Sequence, residues 1–121
     1  MTPPELSAGS FHVGNAANSA GARGWILGHF VADESDVRHT KDVEVKWSEH
    51  PAGDHRDGWV TGETRTTLLL LVKGHFHITL STGAYELIKP GDYAVWGPGI
   101  DHIWRAEVDS IVVTVRWPSR S

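Results

Sequence analysis

Gly91-Asp92-Tyr93-Ala94-Val95-Trp96-Gly97-Pro98-Gly99-Ile100-Asp101-His102 is the stretch from which the rest of the chain is read. A Gly-Asp turn leads into a short apolar strand, a tight Gly-Pro-Gly turn follows, and a histidine opens the next strand. That order delivers one imidazole to a fixed place beside a turn. A second glycine, Gly74, ends an apolar strand, and sixteen residues separate it from Gly91. The two glycines together suggest a small β-barrel with a pocket.

Working outward, the chain from Trp25 onward reads as short strands broken by turn signals. Trp25 to Val31 is predicted as a first strand, and Asp33 to Asp42 as polar loop. Val43, Val45 and Trp47 alternate with Glu44 and Lys46, the pattern of a half-buried strand. His50 to Gly58 holds Pro51, Gly53 and Gly58 and is read as an irregular connection. Trp59 to Val72 is predicted as one long or broken strand. In His75 to Leu80, Phe76, Ile78 and Leu80 are the core-facing set, alternating with His75, His77 and Thr79. Tyr85 to Ile88, Tyr93 to Trp96, His102 to Ala106 and Ile111 to Trp117 complete the strands. Nothing has helical periodicity at helical length, so the chain is read as all-β, a closed barrel or double-sheet jelly roll. Residues 1–22, rich in Ala, Gly, Ser, Asn and Pro, are read as a flexible arm, and residues 23–121 as one barrel.

A length of 121 residues suits one domain, and 40% apolar residues with six tryptophans suffice for one modest core. The net charge is −4 and basic residues form no run, which argues against nucleic-acid and membrane-surface partners. The absence of cysteine excludes disulfides, thiolate metal sites and a cysteine nucleophile. The longest apolar run, Leu68 to Val72, is too short to span a bilayer. The N-terminus lacks a basic segment followed by an apolar one, so no secretory signal is expected and a cytoplasmic location is the expectation.

The segment from about Val43 to Trp117 resembles a cupin, a double-stranded β-helix or jelly-roll barrel with two signature motifs. The second motif reads Gly, five or more residues, Pro-x-Gly, two residues, His. Gly91 opens it and Gly97-Pro98-Gly99-Ile100-Asp101-His102 fills its turn, with Gly97 standing where the proline is usual. The first motif reads Gly, His-x-His, Glu and a closing Gly. Gly74 closes it, but counting back places Thr67 at the usual glutamate and Thr61 and Glu63, within a residue, at the usual histidines. The whole sequence also resembles a family of short bacterial cupins sometimes labelled signal peptidase I. No serine-lysine dyad context and no membrane anchor support that label here. Of the customary ligands of iron, manganese, nickel or zinc, the resemblance leaves His102 in kind, with Glu63 as a possible oxygen ligand.

On an unbroken strand Trp59, Thr61, Glu63, Arg65 and Thr67 share one face. Glu63 and Arg65 then point into the barrel beside His102, the Arg to clamp an anion and the Glu or His to move a proton. If Gly62 breaks the strand, both are solvated loop residues instead. Trp104 shares the face of His102 and either walls the pocket or fills the barrel. His50 and His55 flank Pro51-Ala52-Gly53-Asp54 and can turn toward a metal at His102, although two solvated loop histidines satisfy the spacing equally well. Arg56 and Trp59 follow as pocket-mouth residues. His75-Phe76-His77 is rejected as the barrel's metal motif, because its histidines fall outward or toward a partner subunit and its spacing to Glu86 and Gly91 fails the first motif; a surface pair can still bind metal adventitiously.

Two functions compete. One is a small-molecule enzyme of lyase, isomerase or dioxygenase type on a small polar or anionic substrate. It works either with a divalent metal at His102, Glu63, His50 and His55, or without metal through Glu63 and His102. The other is a ligand-binding or sensory module without turnover. A third possibility is an accessory subunit acting through an exposed sheet face. The resemblance further implies a homodimer.

Overall fold

The computed structural model describes residues 10–120; residues 1–9 of the expected arm lie outside that range. Eight strands form the body: β1 Trp25–Leu27, β2 Glu44–His50, β3 Thr66–Lys73, β4 Phe76–Leu80, β5 Gly83–Leu87, β6 Tyr93–Trp96, β7 His102–Ala106 and β8 Ser110–Trp117. They make a five-stranded sheet in the order β1-β2-β8-β3-β6 and a three-stranded sheet in the order β5-β4-β7. Pairing is antiparallel throughout. The result is an all-β jelly roll, in which strands distant in sequence are neighbours in the sheets. The residues before β1 include a short 3-10 helix at Ala16–Ala22, which the sequence pattern does not announce. Among the described residues no helix is long and apolar enough to cross a membrane.

The core lies between the sheets. Leu69 and Leu71 on β3, Phe76, Ile78 and Leu80 on β4, Leu87, Trp96, Ala106 and Val112 are buried. In β4 the expected alternation holds, since Phe76, Ile78 and Leu80 are buried while His77 and Thr79 are not. The predicted strand Trp25 to Val31 shortens to three residues. The segment Trp59 to Val72 becomes a strand only from Thr66, because Gly62 takes a left-handed φ of +69° and breaks it. An isolated bridge from Val60 to His102 is what remains of pairing before that break.

In β2 the polar residues, not the apolar ones, face inward. Glu44 is wholly buried, and Lys46, Ser48 and His50 line the interior cavity. Val45 and Trp47 take the outer face. β8 does the same, with Thr114 and Arg116 inside and Val113 and Val115 outside. A barrel with a polar lumen inverts the usual rule that the apolar face of a strand is the buried one.

Candidate functional site

The cavity between the sheets has a volume of about 180 Å³. Its walls are aromatic and aliphatic: Trp25, Trp96, Trp104, Phe76, Ile78, Leu69, Val60 and Val112. Into that apolar cup project Lys46, Arg56 and Arg116, the imidazoles of His50 and His102, and the hydroxyls of Ser48, Thr67 and Thr114. Among the described residues no carboxylate lines it. An apolar pocket with a few convergent polar groups is the usual make-up of a small-molecule site.

Each group is placed by its strand. The Gly97-to-Asp101 turn ends where His102 opens β7, and the backbone of His102 exchanges hydrogen bonds with Val60 at 2.8 and 3.1 Å. The ring packs against Trp96 at a centroid distance of 4.9 Å. Burial, and then the positive charge of Arg56, pushes the His102 pKa below its ordinary value of 6.5. The imidazole is therefore neutral at pH 7. Trp104, two residues on, lies between His50 at 4.5 Å and Phe76 at 5.5 Å. It is a pocket wall. His50 ends β2 with its Nδ1 2.7 Å from Asp54 Oδ2, so it is a tethered strand residue rather than a free loop histidine.

Lys46 is half-buried, and its ammonium sits 5.5 Å from the centre of the Trp25 ring. The Arg116 guanidinium lies over the same ring at 4.8 Å. Burial lowers the pKa of both, and Arg116 adds to the lowering at Lys46. Arg116 is neutralised by Glu44, with Nε at 2.7 Å and Nη2 at 2.6 Å from Oε2. Lys46 has no carboxylate partner among the described residues. Among the described residues, three buried polar atoms also lack a partner: Thr67 Oγ1, Trp96 Nε1 and His102 Nδ1. They belong to three residues of the same cavity wall, with Thr67 and Trp96 directly paired across β3 and β6.

The structure thus brings together His102, Thr67, Trp104, Arg56 and His50. It does not bring Glu63, Arg65, Thr61, Trp59 or His55 to them. The parity argument fails because β3 starts only at Thr66, after the Gly62 break. Val60, not Thr61, faces the cavity at the position of the expected histidine. Glu63 binds Arg65 through both oxygens, each at 2.8 Å. Arg65 hydrogen bonds hold the Glu63 pKa down at about 2. Arg65 continues to the buried Glu44 at 3.0 Å, and Ser119 closes the cluster on Glu44 Oε1 at 3.0 Å. Trp59 is 48% exposed. His55 is exposed and bonded to Asp57 at 2.9 Å. Lys46, Arg116, Trp25 and Trp96 were not legible as site residues, and the inverted alternation of β2 and β8 is the reason for the first two.

A metal at His102 does not fit these neighbours. A site for iron, manganese, nickel or zinc needs three or more nitrogen and carboxylate donors. Here two imidazoles, His50 and His102, line the cavity with no carboxylate among the described residues, and the Lys46 ammonium and Arg56 guanidinium on the same lining oppose a dication. Among the described residues, the one group of three donors within 4.8 Å of one another that could hold an ion is His75, His77 and Glu86. It lies at the start of β4 and on β5, away from the cavity lining. His75 and His77 do face outward as expected, but their convergence with Glu86 was not foreseen.

No protein-family model matches the chain, and no curated protein matches it. Solved structures do. The chain is similar to KdgF from a Halomonas species, with 26% identity over 69% of this chain and 74% of that one and a TM-score of 0.61. It is similar to an RmlC-like cupin from Shewanella frigidimarina at 20% identity, with 67% and 70% covered and a TM-score of 0.59. A cupin protein from Bacteroides fragilis matches at 17% identity, with 66% and 69% covered and a TM-score of 0.56. Likeness of backbone over about two thirds of the chain, repeated in two structures that bear the cupin name, shows that this chain has the cupin fold.

Proposed function

We propose that the barrel binds a small anion carrying hydroxyl or carbonyl groups, and that His102 moves a proton to or from it without a metal ion. The observation that carries this reading is the set of unpartnered polar groups on one cavity. Lys46 is a cation without a carboxylate among the described residues, and Thr67 Oγ1, Trp96 Nε1 and His102 Nδ1 are buried without partners. Leaving a buried polar group unpaired costs about 1–3 kcal/mol. A ligand that accepts from the indole N–H and meets the hydroxyl and imidazole recovers that cost. Its anionic end belongs on Lys46, with Arg56 at the mouth. The volume of about 180 Å³ lies below the roughly 300–1,000 Å³ of pockets for drug-sized ligands, so the ligand is a small metabolite.

Neutral, half-buried His102 suits a general base or, once protonated, an acid for an isomerase or lyase step. Glu63 takes no part, because Arg65 holds it as a carboxylate elsewhere.

Calorimetric titration with a panel of small hydroxy- and oxo-carboxylates and sugar phosphates tests the reading. Lys46→Met is expected to weaken binding of the best ligand by about a hundredfold or more, since a charge-assisted contact is lost. Trp96→Phe weakens it about tenfold. His102→Gln retains binding but abolishes any turnover of the bound ligand. Binding that is indifferent to Lys46→Met, or that requires a stoichiometric metal lost in His102→Ala, would overturn the proposal. Tight binding with no chemical change in the ligand would reassign the barrel to sensing or storage.

A further inference from the structure

The three-stranded sheet carries a second set of chemical groups on its outer face. His75 lies just before β4 and His77 within it, so the two share that face at a spacing of two residues. Glu86 on β5 stands directly opposite His77 in the strand register. We propose that His75, His77 and Glu86 form a binding site for a divalent transition metal, separate from the barrel cavity.

Geometry supports it first. One donor atom from each of the three side chains lies within 4.8 Å of the others. The imidazole rings are 4.8 Å apart and 27° from parallel. Ligand atoms around a tetrahedral zinc ion, at about 2.0–2.1 Å from the metal, sit roughly 3.3 Å from one another. The backbone of His75 is already fixed. Its N–H donates to Ser110 Oγ at 3.1 Å, and its carbonyl accepts from the Glu107 N–H at 2.8 Å. Ser110 is buried, so the anchor belongs to the core.

Charge supports it next. Without an ion, His75 Nε2 is bonded to Glu86 at 2.6 Å, and His77 Nε2 to Glu107 at 2.8 Å. Arg105 also binds Glu107, at 2.9 Å. The carboxylates of Glu86 and Glu107 outnumber the one guanidinium bonded here, which favours a dication. Glu107, restrained by Arg105, is placed as the outer carboxylate beside a ligating histidine.

The donor set selects the metal. Two imidazole nitrogens and one carboxylate suit zinc, cobalt, nickel or copper rather than calcium or magnesium, which take oxygen ligands. Three protein donors leave a coordination position open to solvent, the pattern of reactive rather than closed structural zinc sites. The inner face of the same strand presents Phe76 and Ile78 to the cavity, so the ion would sit one strand's thickness from the anion site.

The test uses the full chain without an affinity tag, titrated with zinc by calorimetry and with cobalt by visible absorption. One equivalent is expected to bind with Kd of about 10 µM or tighter. His77→Ala should weaken it about a hundredfold, and Glu86→Gln, which preserves shape, about tenfold. His102→Ala should leave it unchanged. Absence of saturable 1:1 binding overturns the proposal, as does unchanged affinity in both folded site variants. Loss of the ion in His102→Ala would move the metal into the barrel and overturn both this site and the anion reading.

Discussion

Glu63 and Arg65 are two residues apart, and that proximity decides the role of each. The Glu63 carboxylate accepts from Arg65 Nε, Nη2 and backbone N–H, which satisfies it locally. A carboxylate so held is a weak base, with its pKa pushed down to about 2 from an ordinary 4.5. A depressed carboxylate pKa contributes stability that is fully present above pH 4.5 and is lost as pH falls through 2. Glu63→Gln should therefore melt below the wild type at pH 7, and the gap should close steadily between pH 4.5 and about 2. Thermal melts across that range decide the matter. A gap that stays constant down to pH 2 would mean that packing, not the charge of Glu63, makes the difference. Lys46 shows the converse at the same scale, a charged side chain left without a carboxylate where a ligand can use it.

At the scale of the element, Gly74 shows what a turn can demand. Its φ of +111° belongs to glycine, and a Cβ added there would lie 2.3 Å from Ser110 Oγ and 2.6 Å from Ser110 Cα. Gly74→Ala should destabilise the fold by about 3 kcal/mol or more, read by chemical denaturation. Adding Ser110→Ala should not rescue it, because the backbone Cα remains in the way. A rescue would show that the hydroxyl alone sets the approach. This turn, the strand order after it and the placement of His102 were all legible in the sequence, because glycine and proline punctuation is local chemistry. The interior of β2 and β8 was not. Val45 and Trp47 alternate with Glu44 and Lys46 whichever set faces in, and the choice depends on whether the lumen is apolar or polar. That is a property of the closed barrel, absent from any single strand. Gly62 was the weak point of the parity argument for the same reason. One left-handed residue changes the face of every residue before it.

The inverted strands have a consequence for the whole molecule. With polar residues turned into the lumen, the outer face of the five-stranded sheet is apolar. Strand register sets Val45, Val115, Leu68 and Val95 in one row and Trp47, Val113, Leu70 and Tyr93 in the next. Tyr93 is 63% exposed and Val95 49%. The strands β2, β8, β3 and β6 lie about 4.8 Å apart and carry two to four outward positions each at about 6.6 Å, which makes a face of about 400 Å². Contiguous apolar patches on monomers rarely exceed a few hundred Å², whereas a standard interface takes about 800 Å² of accessible surface per partner. Charge complementarity leads us to propose a second copy of the chain as the occupant of that face. Glu49 and Lys73 flank Ile111 on its two sides, with β8 at the centre of the sheet. A two-fold axis along β8 sets Glu49 of each copy against Lys73 of the other, the self-complementarity that a closed dimer needs. We expect a homodimer packed through this face, with twice the chain mass by light scattering. Tyr93→Lys should convert it to monomer while leaving the circular dichroism spectrum intact, because the side chain is exposed. Reversing the charges at Glu49 and Lys73 together should preserve the dimer, whereas either reversal alone should weaken it about tenfold. A wild-type chain that is monomeric, or a dimer indifferent to Tyr93→Lys, would mean that a different partner or the chain's own N-terminal residues cover this face.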